Sequence, residues 1–276
     1  MEKKFELTDK FVFNTFGIKL FQIKCTKSFK YAKEGDLGGY VEKDENLDQE
    51  SDAWVSGDAQ VYGDARVYDD AQVCGDAWVC GNARVCGNAR VYGNAQVCGN
   101  AWVYGDAQVY GNAWVCGNAR VYGNAQVCGN AWVSGDAQVY GDARVYDDAQ
   151  VCGDAWVCGN ARVCGNARVY GNAQVCGNAW VYGDAQVYGN AQVYGDADIE
   201  NDNNHCGFDC FGSCNRHTHA YLTKDNKVEI TCGCFRGSIE EFEKKVEKTH
   251  SGKIYEKQYK AIINVIKIKF GLTDLI

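Results

Sequence analysis

Proline is absent from all 276 residues of the chain, and histidine is absent before His205. The lack of proline suits a structure in which nearly every backbone N–H joins a hydrogen-bonded ladder. No stretch approaches the roughly 18 consecutive apolar residues of a membrane span, and the amino terminus lacks the apolar core of a signal peptide. We therefore expect a cytoplasmic protein without a membrane partner.

Basic charge is also scarce, because the formal net charge is −8. Such a chain is not expected to bind nucleic acid directly by neutralising phosphates. The 16 cysteines could suggest disulfides, but ten of them occupy one repeat position that also accepts Tyr and Ser. Reduced thiols in a reducing compartment are the simpler interpretation.

What fills the chain instead is a six-residue repeat, Ala-x-Val-x-Gly-Asp/Asn, from Ala53 to Ala197. The Ala slot holds alanine at all 25 positions, and the Val slot holds valine until Ile199. The Gly slot departs from glycine only at Asp69 and Asp147. No insertion or deletion interrupts the run.

A six-residue period fits a solenoid of short strands rather than a helix or a hairpin array. Side chains alternate along a strand, so Ala and Val face one way and the variable residues face the other. Gly followed by Asp or Asn tolerates the positive φ of a bend. The pattern predicts a narrow core of Ala and Val inside an all-β solenoid.

These residues resemble the hexapeptide-repeat family, whose strands wind as a left-handed parallel β-helix of triangular section. The resemblance implies three faces, with one hexad on each face and therefore three hexads per coil. Residues 35–200 would then make roughly nine coils, about 43 Å long at ~4.8 Å per coil. The general rule for parallel crossovers would have favoured the opposite hand.

The repeat register extends backward imperfectly through residues 35–52, which we interpret as a degenerate capping coil. Leu37 falls in the Val slot, Gly39 in the Gly slot, and Val41 and Leu47 in the Ala slot. Residues 1–34 before it alternate like two short strands around residues 14–17, which predicts an amino-terminal hairpin module.

Residues 201–276 form a third region, a small α+β module. Residues 218–223 and 228–235 flank a plausible turn. Ser238 and Glu241 form a capping-box pattern before a helix that reaches about Thr249. A second helix is predicted over residues 255–268, with Tyr259 and three isoleucines, Ile262, Ile263 and Ile266, on one face.

The terminal motifs extend the resemblance. Lys-Phe-Glu-Leu at residues 4–7, Gly-Asp-Leu-Gly-Gly-Tyr-Val-Glu at 35–42 and Cys-Gly-Cys-Phe at 232–235 look like modules of phage and prophage hexapeptide-repeat proteins. Such proteins are often described as polymer-forming. The resemblance implies a phage or prophage origin in a bacterial host and self-association, but it carries no established activity.

An internal duplication makes residues 53–113 identical to residues 131–191. The offset between the copies is thirteen hexads, which is not a multiple of three. In a three-faced coil each copied hexad therefore lands on the next face. This favours a role for length, stiffness or repeated contacts over one precise site.

Every third hexad should stack outward residues in columns. One face is predicted to stack Cys80, Cys98 and Cys116, with Trp114 next to Trp132; the next face stacks Tyr104, Tyr122 and Tyr140, with Arg66 next to Arg84. Stacked thiols could bind a soft metal or simply pack on each other. The aromatic columns could bind a partner or another rod, or be plain ladder stacking.

The tail holds the one metal-like cluster in the sequence: Cys206, Cys210, Cys214, His217, His219, Cys232 and Cys234, with His205 beside them. These residue types suit zinc, but the spacings are not those of paired zinc knuckles. A structural zinc and simple packing both stay open, and for Cys234 we expect packing between hairpin and helix. No other cofactor is expected.

Three functions follow in order of preference. The first is a non-enzymatic scaffold that binds a protein partner or itself, as a homo-oligomer such as a trimer or polymer. The second is an inhibitor that mimics DNA, suggested by the acidic turns but opposed by the arginines of the repeat. The third is a hexapeptide acyltransferase, which is disfavoured because no histidine lies in the coils to act as a base.

Overall fold

The computed structural model describes residues 3–272 and has the form of a parallel β-solenoid of about nine turns. Strands one turn apart pair in register, as Val91 does with Val109, so each turn takes three hexads. The coils form three sheets, here named faces A, B and C. The predicted solenoid, its three faces and its three-hexad turn are confirmed, while the left hand of the coil stays a prediction.

Twenty-five strands of two residues, numbered in chain order, make up the repeats. Face A contains β5 (Gln60–Val61), β8 (Trp78–Val79), β11 (Gln96–Val97), β14 (Trp114–Val115), β17 (Trp132–Val133), β20 (Gln150–Val151), β23 (Arg168–Val169) and β26 (Gln186–Val187). Face B contains β6 (Arg66–Val67), β9 (Arg84–Val85), β12 (Trp102–Val103), β15 (Arg120–Val121), β18 (Gln138–Val139), β21 (Trp156–Val157), β24 (Gln174–Val175) and β27 (Gln192–Val193). Face C contains β4 (Trp54–Val55), β7 (Gln72–Val73), β10 (Arg90–Val91), β13 (Gln108–Val109), β16 (Gln126–Val127), β19 (Arg144–Val145), β22 (Arg162–Val163), β25 (Trp180–Val181) and β28 (Asp198–Ile199).

The core is a continuous column of the repeated alanines and valines. All of them from Ala53 to Ile199 are buried, and together with Phe5 and Tyr221 from the terminal modules they form one cluster. Burial of each valine contributes up to roughly 1.5–3 kcal/mol, so the stability of the rod comes from repetition.

Glycine suits the corners for two reasons: the backbone has a positive φ there, and it lies close to the backbone of the next coil. Gly87 has a φ of 67°, and a Cβ placed on it would lie 2.9 Å from the backbone nitrogen of Gly105 in the next coil. Asp69 and Asp147 stand in this slot with a φ of 60°. Their carboxylates accept the backbone N–H of Gly87 and Gly165 at 3.0 and 3.2 Å, which compensates for the missing glycine.

Asn at the turn slot adds ladders along the corners. The Asn82 amide donates to Asn100, Asn100 donates to Asn118, and Asn118 donates to Asp136, at 2.8–3.0 Å. An ionised Asp accepts but cannot donate, so the chain of amide bonds ends there. The choice between Asn and Asp therefore sets where each corner ladder stops.

The amino-terminal strands join face A. β1 (Phe5–Phe13) pairs antiparallel with β2 (Lys19–Cys25), β2 pairs antiparallel with β3 (Leu37–Val41), and β3 pairs parallel with β5. A short 3-10 helix follows at Asp44–Asn46. These elements cover the first coil, as a solenoid end requires.

The predicted register of the capping coil is wrong. Val41 pairs with Val61 and Leu47 with Val67, so each partner lies two positions further along the chain than the three-hexad spacing of the other coils. Two extra residues therefore lie between Leu47 and Ala53, and Val41 and Leu47 occupy the Val slot. Gly39 precedes Tyr40, which pairs with Gln60, so Gly39 lies opposite Ala59 in the Ala slot; Leu37 is exposed and pairs with Lys24 of β2.

The extra residues hold the amino-terminal strand. The Gln49 side chain accepts the backbone N–H groups of Lys4 and Phe5 at 2.9 and 3.2 Å, and the Lys4 ammonium donates to the Ser51 and Ala53 carbonyls at 2.7 and 2.8 Å. Lys4 and Phe5 lie outside the repeat, so the hexad pattern alone did not reveal these contacts.

The carboxy-terminal module caps the other end with an antiparallel sheet and two helices. The sheet consists of β29 (His205–Phe211), β30 (Arg216–Leu222), β31 (Val228–Cys232) and β32 (Phe235–Ser238), after a 3-10 helix at Asp202–Asn204. The predicted helices are confirmed as α1 (Ile239–His250), capped by Ser238, and α2 (Ile254–Lys269), whose buried face holds the four predicted residues. β29 was not predicted.

Tyr221 in β30 joins the solenoid core, and its hydroxyl contacts Glu229 and the Tyr194 carbonyl. Within residues 3–272, no helix has the length and apolarity needed to cross a membrane.

Candidate functional site

Exposed indoles mark the middle of the rod. Trp114 and Trp132 on face A are each 44% exposed, and Trp102 and Trp156 on face B are 37% and 40% exposed. The Trp114 and Trp132 rings lie 5.9 Å apart in adjacent coils, as predicted. Contiguous exposed aromatic groups are typical of interaction surfaces.

The corresponding tryptophans of the first copy of the duplication, near the amino-terminal end of the rod, are covered. Trp54, the twin of Trp132 in the duplication, is 5% exposed and packs 5.4 Å from the ring of Phe29. Trp78, the twin of Trp156, meets the ring of Phe16. The terminal module therefore covers the tryptophans within its reach, and those of the central coils stay uncovered.

Two guanidinium groups flank the central tryptophan of face B. Arg84 and Arg120, one coil to either side, lie 4.9 and 5.7 Å from the ring of Trp102. Cation–π contacts of this kind hold the indole in place and add positive charge beside it. Arg66 pairs with Arg84 in the adjacent strand, as predicted.

The tyrosine column of face B is confirmed. The rings of Tyr104 and Tyr122 stack at 4.8 Å, and those of Tyr122 and Tyr140 at 5.0 Å. Burial raises the pKa of Tyr104 and Tyr122. The spacing of the rings equals the rise of one coil. These tyrosines therefore stack on each other as a ladder, and they also form part of the surface of face B.

The cysteine column of face A is also formed. Cys80, Cys98 and Cys116 follow β8, β11 and β14, and all three thiols are free and half-buried. The Trp132 indole N–H contacts the Cys116 sulfur at 3.2 Å.

One prediction about cysteine is wrong. Cys158 and Cys176 form a disulfide between adjacent coils of face B, with their Cα atoms 4.6 Å apart. In-register parallel strands bring residues of adjacent coils within the range of Cα separations that a disulfide accepts. The expectation that all 16 thiols are reduced therefore fails at this pair.

Three imidazoles meet where the carboxy-terminal sheet covers the last coil. His205 Nδ1 lies 3.0 Å from His219 Nε2, and His217 Nδ1 lies 2.7 Å from an Asp209 oxygen. They line a cavity of about 310 Å³ together with Asp202, which is 3.4 Å from His205 Nε2. The three histidines come together because β29 pairs with β30. Since β29 was not predicted, the sequence analysis did not find this cluster.

Both imidazoles of the 3.0 Å contact cannot be cationic, because one of the two facing nitrogens must accept. Burial lowers the pKa of His205, against the opposing effect of Asp202. Burial, and then the neighbouring His205 and His217, hold the pKa of His219 well below its ordinary value. The cluster is therefore a neutral, buried pair with a third ring beside it.

The candidate metal ligands of the tail are not brought together. Cys206 lines the histidine cavity, but Cys210, Cys214 and Cys234 are exposed, and Cys232 lies apart with Thr218 and Tyr259. Across residues 3–272 no group of three or more Cys, His, Asp or Glu side chains is arranged to hold a metal ion.

The prediction that Cys234 packs between hairpin and helix is wrong. Gly233, with a φ of 60°, turns the chain between β31 and β32 and leaves Cys234 exposed. Cys232 fills the buried place instead, next to the Tyr259 hydroxyl of α2.

Comparison with known protein families supports the solenoid fold of the coils. Nine segments match the model of the YdcK beta solenoid repeat, at residues 59–75, 77–93, 83–99, 95–111, 113–129, 137–153, 155–171, 161–175 and 173–189. The rod is built of repeats similar to these. No curated protein matches the chain. The match extends over the repeats and not over the terminal modules.

Proposed function

We propose that the chain is a non-enzymatic β-solenoid scaffold that self-associates, with the exposed Trp114–Trp132 pair of face A as the contact surface. The observation that carries the proposal is the Trp114–Trp132 pair, which is uncovered in the middle of face A. The resemblance of the terminal motifs to phage and prophage proteins supports a phage or prophage origin.

The position of the pair favours a second copy of the chain as the occupant. Among the nine strands of face A from β3 to β26, β14 with Trp114 is the fifth. A patch at the centre of a rod lets two antiparallel copies place the same patch on itself and overlap along nearly their full length. Such isologous pairing buries each tryptophan pair against its equivalent.

The covered tryptophans support this choice. Trp54 takes an aromatic cover, Phe29, from the same chain, and Trp78 contacts Phe16. Indoles of this repeat therefore accept aromatic partners that this chain supplies. Buried tryptophans at the centre of a contact are also the residues that contribute most to association.

The absence of histidine from the coils supports the non-enzymatic part of the proposal, since all four histidines follow residue 204. A general base for acyl transfer would have to come from elsewhere. Outside the coils, His205 contacts His219 and His217 contacts Asp209, while His250 packs against Tyr259.

The test is sedimentation equilibrium of the full chain and of the double variant Trp114→Gln/Trp132→Gln. Glutamine occupies the same slot at Gln96 and Gln150 on the same face, so the fold tolerates it. We expect a wild-type mass of twice the 30.4 kDa chain and a monomeric variant.

The matched control is Trp156→Gln, which removes an indole of similar exposure from face B and should leave the dimer intact. A wild-type protein that stays monomeric at high concentration contradicts self-association. A dimer that survives in the double variant would show that the contact lies elsewhere. A monomer that binds a different protein through Trp114 would show that the partner is not a second copy of the chain.

A further inference from the structure

Three sulfur atoms stand in one straight column on face A. β8, β11 and β14 are in register, with Trp78 paired to Gln96 and Gln96 paired to Trp114. The thiols of Cys80, Cys98 and Cys116 therefore repeat with the same translation that relates the coils. Thiol–disulfide exchange passes through a state in which the attacking, central and leaving sulfurs are nearly collinear, and the column supplies that arrangement.

The duplication shows that this register supports a disulfide. Cys158 and Cys176 are the twins of Cys80 and Cys98, thirteen hexads later, and they are bonded. The copies differ in the third position of the column, where Cys116 corresponds to Tyr194. Only the first copy therefore offers the central cysteine, Cys98, a thiol on both sides.

We propose that Cys80, Cys98 and Cys116 form a thiol–disulfide exchange site that accepts a disulfide from a small disulfide and moves it by one coil, with Cys98 as the shared sulfur. This site goes beyond the scaffold function and does not depend on it.

The first step oxidises two thiols and reduces the small disulfide, written RS–SR. The Cys116 thiolate attacks one sulfur, the S–S bond breaks, and RS⁻ leaves and takes up a proton. Cys98, after losing its proton to solvent, attacks the Cys116 sulfur and expels the second RS⁻. The sum is two protein thiols plus RS–SR giving one protein disulfide plus two RSH.

The second step moves the bond without net oxidation. The Cys80 thiolate attacks the Cys98 sulfur from the opposite side, a Cys80–Cys98 bond forms, and the Cys116 thiolate is released. Cys98 is central to both products because Cys80 and Cys116 are two coils apart, about 9.6 Å at ~4.8 Å per coil, and cannot bond directly.

The outer thiols have the character that this chemistry needs. The pKa of Cys116 lies below its ordinary value because Cys98 and then the Trp132 indole interact with its sulfur, against the opposing effect of burial. The pKa of Cys80 is lowered by Cys98 and then Tyr62, again against burial. The pKa of the central Cys98 is raised instead, by Cys116 and then by Cys80, so the outer thiols are the ones that ionise first.

The experiment treats the full-length variant Cys158→Ser/Cys176→Ser with oxidised glutathione at neutral pH, blocks free thiols in acid and maps tryptic peptides by mass. The background substitution is needed because residues 67–84 and 145–162 are otherwise identical in sequence. A Cys98–Cys116 bond lies within the peptide 91–120, whereas a Cys80–Cys98 bond links 67–84 to 91–120.

We expect the bond within 91–120 first, and the cross-link to 67–84 later, at constant total disulfide after glutathione is removed. Adding Cys98→Ser should abolish both products and leave glutathione attached to an outer cysteine. Serine suits the slot, since Ser134 follows Cys116 in the same column. The control Cys86→Ser, on face B, should change neither product.

Three results overturn the proposal. One is an unchanged yield of internal disulfide in the Cys98→Ser variant. Another is glutathione that stays on the parent protein as a mixed disulfide without any internal bond. The third is a Cys98–Cys116 bond that never transfers to Cys80, which removes the movement by one coil.

Discussion

Residues 53–113 and 131–191 are identical, yet their surfaces differ. Trp54 is covered and its twin Trp132 is exposed; Cys80 and Cys98 are free and their twins are bonded. The offset of thirteen hexads moves each residue to the next face, as β8 on face A and β21 on face B show. A repeat therefore sets the slot of a side chain, whereas the neighbouring coils and terminal modules set its surroundings.

The largest expected difference between twins is at the first tryptophan. Trp54→Gln should lower the free energy of unfolding by roughly 3–5 kcal/mol, because a packed indole is removed from beside Phe29. Trp132→Gln should cost much less, since that indole is partly in water. Denaturant titration of both variants checks this, and equal losses would mean that the amino-terminal module contributes nothing at Trp54.

The next difference concerns the disulfide. Reducing Cys158–Cys176, or replacing both residues with serine, should destabilise the rod by roughly 3 kcal/mol, the chain-entropy estimate for a loop of this size. Cys80→Ser/Cys98→Ser in reduced protein should have little effect. Thermal unfolding with and without reductant measures both, and a stability that ignores reductant would show that the coil pairing already closes this loop.

A smaller difference is expected at a corner. Gly111→Ala and Gly189→Ala both place a Cβ at positive φ, at a strain of about 1–2 kcal/mol each. The Gly111 variant also meets the Gly129 backbone at 3.1 Å, whereas the space around Gly189 is open. We expect Gly111→Ala to unfold at a lower denaturant concentration than Gly189→Ala. The reverse order would show that the contact with the next coil does not contribute to the difference.

The smallest expected effect depends on pH and falls outside the duplication. His205 and His219 have lowered pKa values in the folded protein, so the unfolded chain binds more protons near its ordinary pKa of 6.5. Their stabilising effect is complete above that pH and is lost as the pH falls below it. Hydrogen exchange should show the carboxy-terminal module opening in acid before the coils, and His219→Gln should weaken that dependence.

Much of the rod could be predicted from residues alone. Ala59, Val61 and Gly63 each occupy a slot that permits one conformation, and the same slot recurs with every hexad. The helix at Ser238 was equally clear, because its capping box is local. Local rules of this kind need no knowledge of the rest of the chain.

The capping coil and the candidate sites were harder. The two extra residues near Gln49 make sense only through their contacts with Lys4 and Phe5, which lie far away along the chain. The histidine cluster needs β29 to pair with β30, and the alternation in β29 is brief, since Cys206 and Phe208 pack on the core but the register shifts after Phe208. Long-range partners of this kind leave no periodic signal in the sequence.

A strict hexad period leaves each residue one slot, so the amino-acid sequence alone specifies the coil, its core of alanine and valine, its corners and the columns that stack on its faces. Tertiary structure decided which columns are covered, which thiols are bonded and where the imidazoles meet. Those outcomes depend on the neighbours that each coil receives from the rest of the chain, and identical residues at two heights of the rod receive different ones.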